Sequence, residues 1–135
     1  MSHVLKSLEE VLKQCEKTGA WYGEKITDVA QRNFMGDTVL HTVCSWGGAE
    51  PVRILIDAGA DVNALGDHKS VPLFNAVVGR NVEVIKLLLM AGADVKIKNG
   101  LGRSVLDYAK NVDAPADIIK LLEKGNPSGR KKARE

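Results

Sequence analysis

The sequence repeats itself at a spacing of 33 residues, and this spacing limits the possible folds more than any other feature. Gly-Ala-Asp-Val occurs at 59–62 and again at 92–95. Apolar residues recur at the same offset through three copies: Leu40, Leu73 and Leu106; Val52, Ile85 and Ile118; Leu55, Leu88 and Leu121. Self-similarity at a fixed period of this length is typical of chains built from stacked supersecondary units.

Each unit contains two short apolar segments, and a helix of about eight or nine residues is not stable alone in water. Such helices must bury their apolar faces against the next unit, which predicts a stack with one continuous core. Gly59, Gly92 and Gly125 follow the second segment of each unit, where a left-handed residue commonly ends a helix. Aromatic side chains make up only 4% of the residues, so the core is predicted to be aliphatic, which favours packed helices over a β-sandwich.

A six-residue motif recurs once in each unit. It reads Thr-Val-Leu-His-Thr-Val at 38–43, Val-Pro-Leu-Phe-Asn-Ala at 71–76 and Ser-Val-Leu-Asp-Tyr-Ala at 104–109. These segments resemble degenerate copies of Thr-Pro-Leu-His-x-Ala, the signature of the ankyrin family, whose repeat is about 33 residues long. The segment 84–95 is very similar to the second half of that repeat. The resemblance covers roughly residues 8–125 and implies an all-α solenoid of stacked helix-turn-helix units with short β-turn or hairpin connections.

The two ends of the array depart from the repeat pattern. Apolar residues at 5, 8, 12 and 15 form one helical stripe, which we interpret as the second helix of a truncated unit that acts as a cap. Gly19 and Asp28 are nine residues apart, whereas the equivalent pair Gly59 and Asp61 is two apart, which predicts an insertion close to 21–27. The predicted organisation is an ankyrin-repeat domain at 1–125, followed by a basic flexible tail at 126–135. Within the domain, a cap helix and inserted loop occupy 1–32, two repeats occupy 33–65 and 66–98, and a C-terminal capping repeat occupies 99–125.

The ankyrin resemblance implies that the chain binds another protein. Ankyrin domains usually bind through their concave side, which is made of the projecting turns and the first helix of each repeat. Transferred to this chain, the predicted contact residues are Phe34, Met35 and Asp37, then Asp67, His68 and Ser70, then Leu101 and Arg103 on the turns, and Ser45, Trp46, Val78 and Gly79 on the first helices.

The most specific binding hypothesis concerns the aromatic residues near the first repeat. Phe34, Met35 and Trp46 are predicted to form an exposed cluster that anchors a partner. The alternative is that the inserted loop covers this cluster with Trp21 and Tyr22. For these two inserted residues, packing on the cap helix and a second contact with the partner both remain open, and both residues are included among the candidate binding residues.

Some positions of the ankyrin pattern bear on structure rather than on binding. The resemblance implies that His41, the histidine of the signature, makes hydrogen bonds within the turn. Lys69 occupies the position of a turn glycine, so the second turn is expected to have a different shape. Gly79 lies one place early in the connection between the two helices of its repeat, so the first helix there is expected to end sooner.

The sequence lacks the motifs of an enzyme or of a metalloprotein. His3, His41 and His68 match no metal-ligand spacing, and neither a nucleophile elbow nor a phosphate-binding loop is present. We therefore expect no catalysis, no metal and no cofactor. Cys15 and Cys44 are far apart in sequence and do not form a disulfide scaffold, which favours a reducing, cytoplasmic location. Neither a signal peptide nor an apolar run long enough to span a membrane is expected.

Charge and chain ends bear on the kind of partner. Four of the 19 basic side chains lie in the last six residues, which leaves the repeats close to neutral, so a nucleic-acid partner is not expected. Because both ends of the array have the pattern of caps, we expect a monomeric, free-standing protein. Its function is predicted to be that of a protein-interaction module. The alternative is a dedicated inhibitor or immunity protein that neutralises a specific toxin or enzyme by occlusion, as in the small bacterial ankyrin proteins that it resembles.

Overall fold

The computed structural model describes residues 7–125, so the predicted tail at 126–135 and the start of the predicted cap stripe lie outside it. Within this range the chain forms helices and no β-strand, which confirms the predicted all-α solenoid. The helices are α1 (Leu8–Glu16), α2 (Val39–Cys44), α3 (Ala49–Asp57), α4 (Pro72–Gly79), α5 (Val82–Met90), α6 (Val105–Asn111) and α7 (Ala116–Lys124).

The helices pack in two rows. In the first row α2 contacts α4, and α4 contacts α6. In the second row α1 contacts α3, α3 contacts α5, and α5 contacts α7. The pairs α2 and α3, α4 and α5, and α6 and α7 join the rows, so each of the predicted units 33–65, 66–98 and 99–125 contains one helix from each row. Helix α1 also contacts α2, and it occupies the place of a second helix ahead of α3.

Local signals in the sequence set where these helices begin and end. Ser7 and Ser104 each form a capping box. The serine hydroxyl accepts a hydrogen bond from the backbone N–H three residues later, and the carboxylate of that later residue accepts the backbone N–H of the serine. At the other end, Gly59 and Gly92 adopt φ values of +95° and +103°, one residue beyond the C-cap positions of the second-row helices α3 and α5. The predicted role of these glycines as left-handed helix ends is confirmed.

The expectation that α4 ends early at Gly79 is wrong. Helix α4 continues through Gly79, and Arg80 takes the left-handed conformation at φ +57°. Gly79 is needed for a different reason, because a Cβ atom there would lie 2.6 Å from the carbonyl oxygen of Cys44 in the neighbouring helix. The glycine therefore permits close packing of α2 and α4 rather than a change of chain direction.

The inserted loop folds back on α1. The carboxylate of Glu16 accepts the N–H of Ile26 at 2.7 Å, and the carbonyl of Glu16 accepts the N–H of Gly23 at 3.0 Å. Ile26 and Trp21 are buried, and the indole N–H of Trp21 donates to the hydroxyl of Thr42 on α2 at 3.0 Å. The insertion thus extends the core at the N-terminal end of the stack, and it connects α1 with the first-row helix of the next unit.

Candidate functional site

Three turns project from the N-terminal ends of the first-row helices, and the first and third are built alike. The side-chain oxygen of Asn33 accepts the N–H groups of Met35 at 2.9 Å and Asp37 at 3.0 Å. Asn99 accepts the N–H groups two and four residues later in the same way, at 2.9 and 3.1 Å. Such Asn-centred turns fix the backbone while the neighbouring side chains face solvent. Phe34 and Leu101 are accordingly 68% and 75% exposed.

The second turn has Gly66 where the other two have asparagine, and it takes its acceptor from the preceding turn. The N–H of Asp67 donates to the carboxylate of Asp37 at 2.8 Å. His68 and Lys69 both adopt left-handed conformations, with φ values of +58° and +60°. The expected difference in the shape of this turn is therefore present.

His41 ties the first two turns together. Its Nδ1 accepts the N–H of Thr38 at 3.0 Å, so Nε2 carries the proton and donates to the carbonyl oxygen of Ser70 at 2.9 Å. The side chain is fully buried. Burial lowers the pKa of His41 below its usual value, although the Ser70 carbonyl and the charge of Asp37 oppose the shift. The neutral ring is a structural element of the turns, as the resemblance implied.

Gly66 fits between these groups because it has no side chain. A Cβ atom at this position would lie 2.7 Å from Nε2 of His41, and it would also collide with the carboxylate of Asp37. We expect Gly66→Ala to lower the free energy of unfolding by about 2 kcal/mol, because the turn must move to relieve the overlap. The change is measured by urea unfolding at neutral pH.

Gly19→Ala is the matched control for this substitution. No heavy atom lies within 4 Å of a Cβ atom built at Gly19, so its stability is expected to change by no more than about 0.5 kcal/mol. Equal losses for the two variants would show that the overlap at Gly66 is not the cause.

A groove of about 350 Å³ is lined by residues of all three turns and of the first-row helices α4 and α6. Its aromatic part is a contact between Phe74 on α4 and Tyr108 on α6, whose ring centroids are 5.6 Å apart. Its polar part contains two carboxylates and one imidazole. The lining residues are Asp37, Asp67, His68, Ser70, Phe74, Asn75, Val78, Asn99, Leu101 and Tyr108.

The groove and the turns together make one surface, which we call the turn face: the three turns and the first-row helices α2, α4 and α6. Six of the predicted contact residues line the groove: Asp37, Asp67, His68, Ser70, Val78 and Leu101. Phe34, Met35, Ser45 and Arg103 are exposed elsewhere on this face. Trp46 and Gly79 are half-buried, and Trp46 packs against the core.

The two aromatic residues of the inserted loop, Trp21 and Tyr22, lie in different environments. Trp21 is 1% exposed and belongs to the core, so its inclusion among the binding residues is wrong. Tyr22, which follows it directly, is 81% exposed, and its ring centroid lies 5.5 Å from that of Phe34. The aromatic partner of Phe34 is therefore Tyr22. Together with Met35, these residues form an exposed apolar patch beside the first turn, at the opposite end of the turn face from Leu101.

Sequence reasoning missed four lining residues of the groove: Phe74, Asn75, Asn99 and Tyr108. Asn75 and Tyr108 occupy the variable position of the repeated six-residue motif, one unit apart. The ankyrin signature leaves this position unspecified, and this was the signal that could have identified them. Its equivalent in the first unit is Thr42, which accepts the hydrogen bond from Trp21. The insertion therefore occupies in the first unit the place that the groove has in the next two.

The metal-ligating side chains and the thiols of the described residues bear on metal binding and catalysis. In the range 7–125 no three His, Cys, Asp or Glu side chains are grouped to hold a metal ion. Cys15 and Cys44 are buried free thiols. Burial, with a smaller contribution from Glu16, raises the pKa of Cys15 to about 12, and burial also raises that of Cys44. Such thiols stay protonated at neutral pH and are poor nucleophiles. None of the helices in this range is long and apolar enough to cross a membrane.

Comparison with known proteins gives one family. A family model of ankyrin repeats in three copies matches residues 7–99. The B-cell lymphoma 3 protein homolog of Mus musculus is 35% identical over 106 residues, which cover 77% of this chain and 23% of that protein. Ankyrin repeat and SOCS box protein 16 of Mus musculus is 35% identical over 112 residues, covering 74% of this chain and 24% of that protein.

A third similar protein is human BCL-6 corepressor-like protein 1, which is 37% identical over 84 residues. The match covers 62% of this chain and 5% of that protein. The chain thus spans about a quarter or less of the length of these three relatives.

Proposed function

Because this chain belongs to the ankyrin-repeat family, whose repeats generally mediate protein–protein interaction, we propose that it binds a partner protein through its turn face. The turn face consists of the turns and first helices that the ankyrin resemblance assigns to the binding side. In this proposal the chain acts by binding and not by catalysis. The free chain is a monomer in the cytoplasm, and its partner is neither a nucleic acid nor a membrane.

The observation that carries the proposal is the exposure of large apolar side chains on the turn face. Phe34, Leu101 and Val78 are each more than half exposed, and Val78 on α4 is 57% exposed. Exposed apolar groups that are held in fixed positions commonly mark protein interaction sites. The Asn-centred turns hold Phe34 and Leu101 in place before a partner arrives, which reduces the entropy that is lost on binding.

The polar groups of the turn face support binding rather than chemistry. His41 uses both ring nitrogens in hydrogen bonds to the turns, and His68 lies 3.1 Å from Asp67 at an exposed rim. The Thr38 hydroxyl lies 3.0 Å from Nδ1 of His41, but both side chains are buried, so this pair has no access to a substrate in the described fold.

A capture experiment tests the proposal with two matched variants. Tagged wild-type chain, Leu101→Asp and Met90→Asp are each incubated with native cell lysate and washed at high salt, and the bound proteins are identified by mass spectrometry. Leu101 lies on the third turn, whereas Met90 ends α5 in the second row and is 70% exposed. We expect Leu101→Asp to lose most of the partner captured by the wild type, and Met90→Asp to retain it, because only the former places a charge on the turn face.

If Met90→Asp alone lost the partner, the binding surface would instead lie on the second row of helices. The same experiment addresses the inhibitor alternative. One stoichiometric partner whose activity is blocked would support a dedicated inhibitor, whereas several weakly held partners would support an adaptor.

A further inference from the structure

We propose that the groove of the turn face binds an extended segment of the partner that carries a lysine or arginine and, about three residues away, a large apolar side chain. This inference rests on the proposed function and specifies the partner's chemistry. It follows from the charge of the groove, from the order of its residues along the stack and from its size.

The charged part of the groove is acidic. Asp37 and Asp67 line it, and none of its lining residues is lysine or arginine. Asp37 accepts the N–H of Asp67 through Oδ1, and Oδ1 of Asp67 lies 3.1 Å from Nδ1 of His68. A carboxylate accepts hydrogen bonds through both oxygens, so each aspartate retains acceptor capacity toward a cation. A guanidinium or ammonium group from a partner complements this part of the groove.

The basic residues on the neighbouring turns do not neutralise these carboxylates within the groove. Arg32 donates to the carbonyl oxygens of Gly36 and Leu65, which holds its guanidinium against the backbone. Lys69 and Arg103 are exposed and lie on the second and third turns, outside the groove lining. These two side chains would repel a partner segment that is basic along its whole length. They therefore favour one cationic residue over a basic run.

The apolar part of the groove follows the acidic part along the stack. The carboxylates come from the first and second turns, whereas Leu101 comes from the third turn and Tyr108 from α6. Neighbouring helices pack about 8–10 Å apart. An extended chain advances about 3.3 Å per residue. A segment that lies across the turns thus moves from a carboxylate to the apolar part in about three residues.

The dimensions of the groove favour an extended segment over a helix. A helix with its side chains is about 10–12 Å across. A groove of about 350 Å³ is at the small end of binding pockets and accepts a few side chains rather than a whole helix. The cationic and apolar side chains of an extended segment fill such a groove, while the backbone of the segment stays at its rim.

Selection from a random dodecapeptide library displayed on phage tests this inference on the purified chain. We expect the enriched peptides to contain lysine or arginine and a large apolar residue about three positions apart. The dissociation constant of the most enriched peptide, made synthetically, is then measured against wild type and variants. Asp37→Asn combined with Asp67→Asn keeps the amide oxygen as an acceptor but removes both charges, and it is expected to weaken binding at least about tenfold.

Leu101→Ser is expected to weaken binding of the same peptide by a similar factor, since it removes an apolar side chain from the groove. Met90→Ser is the control, because Met90 is exposed at the end of α5 in the second row and does not line the groove. Its binding is expected to match that of the wild type. The melting temperature of each variant confirms that the fold is retained.

Three outcomes would overturn the inference: no enriched peptide, enriched peptides without a basic residue, or binding that the Asp37→Asn and Asp67→Asn changes leave intact. These failures are distinguishable from a failure of the proposed function. If no peptide is enriched but Leu101→Asp still loses the captured protein, the turn face binds a folded surface and only the extended segment is refuted. If Leu101→Asp also retains the captured protein, the proposed function itself is refuted.

Discussion

Replacing Trp21 by alanine is expected to lower the free energy of unfolding by about 3–5 kcal/mol, as is usual when a buried tryptophan is truncated. The side chain is 1% exposed and fills the space between the inserted loop and the first-row helix α2. Truncation removes this packing and leaves the hydroxyl of Thr42 without its indole donor. For a chain of this size a loss of that magnitude lowers the melting temperature by more than about 10 °C.

Tyr22 is a natural control for this experiment, because it is the next residue in the chain and is also aromatic. Since its side chain is largely exposed, Tyr22→Ala is expected to change stability by no more than about 0.5 kcal/mol. Trp21→Phe is expected to lie between the two, because it keeps most of the packing and loses the hydrogen bond. Urea unfolding of the three variants measures these differences. A Trp21→Ala protein as stable as Tyr22→Ala would contradict the placement of Trp21 in the core.

Replacing His41 by alanine is expected to cost about 3 kcal/mol. The substitution leaves the N–H of Thr38 without its partner, and an unsatisfied buried group costs about 1–3 kcal/mol. The change removes one of the two hydrogen bonds to the carbonyl of Ser70, which still accepts the N–H of Gly66. It also removes the packing of a fully buried ring. Chemical unfolding at pH 7.5 measures this loss.

The same histidine makes the stability of the fold depend on pH. Its folded-state pKa is lowered, chiefly by burial, so below pH about 6.5 the unfolded chain binds more protons than the folded chain. The stability that His41 contributes is therefore fully present above pH about 6.5 and is lost as the pH falls toward the folded-state pKa. Asp37 reduces the shift and Arg32 increases it. We expect wild-type stability to fall between pH 7 and pH 5.5.

His41→Gln serves as the comparison, because glutamine does not titrate. The unfolding free energy of this variant is expected to change less between pH 7 and pH 5.5 than that of the wild type. Both proteins retain the other histidines, so the difference between their slopes reports His41 alone. Equal slopes would show that the buried ring does not titrate in this range.

The fold could be predicted from the sequence because the repeat constrains every unit in the same way. Residues such as Leu55 and Leu88 occupy equivalent positions, and both are fully buried. The inserted loop has no equivalent elsewhere in the chain, so its register could not be inferred. The sequence located the insertion near Trp21, but it did not distinguish Trp21, which is buried, from Tyr22, which is exposed.

The groove was only partly predictable for a related reason. The ankyrin resemblance identified the turn residues Asp67 and Leu101, because these positions project in each repeat. It did not identify Asn75 and Tyr108, whose equivalent in the first unit is engaged by Trp21. Glycine signals were also ambiguous. Gly79 is the last residue of α4, but it is required for a close contact between helices and not for a left-handed turn, and this distinction depends on the neighbouring unit rather than on local sequence.

The hydrogen bonds between successive turns give the array a direction. The N–H of Asp67 donates to Asp37 of the preceding turn, and the N–H of Gly100, at the equivalent position one unit later, donates to the carbonyl of His68 at 2.7 Å. The second and third turns therefore each use an acceptor that the preceding turn supplies. The unit 66–98 lacks the Asn of the other turns and therefore depends on its neighbour. If this unit were duplicated or moved within the stack, its turn would keep its shape only after a unit with an aspartate and a histidine at the positions of Asp37 and His41. The order of the repeats is thus as much a part of the encoded structure as their sequences, and shuffling them would break the array at this junction first.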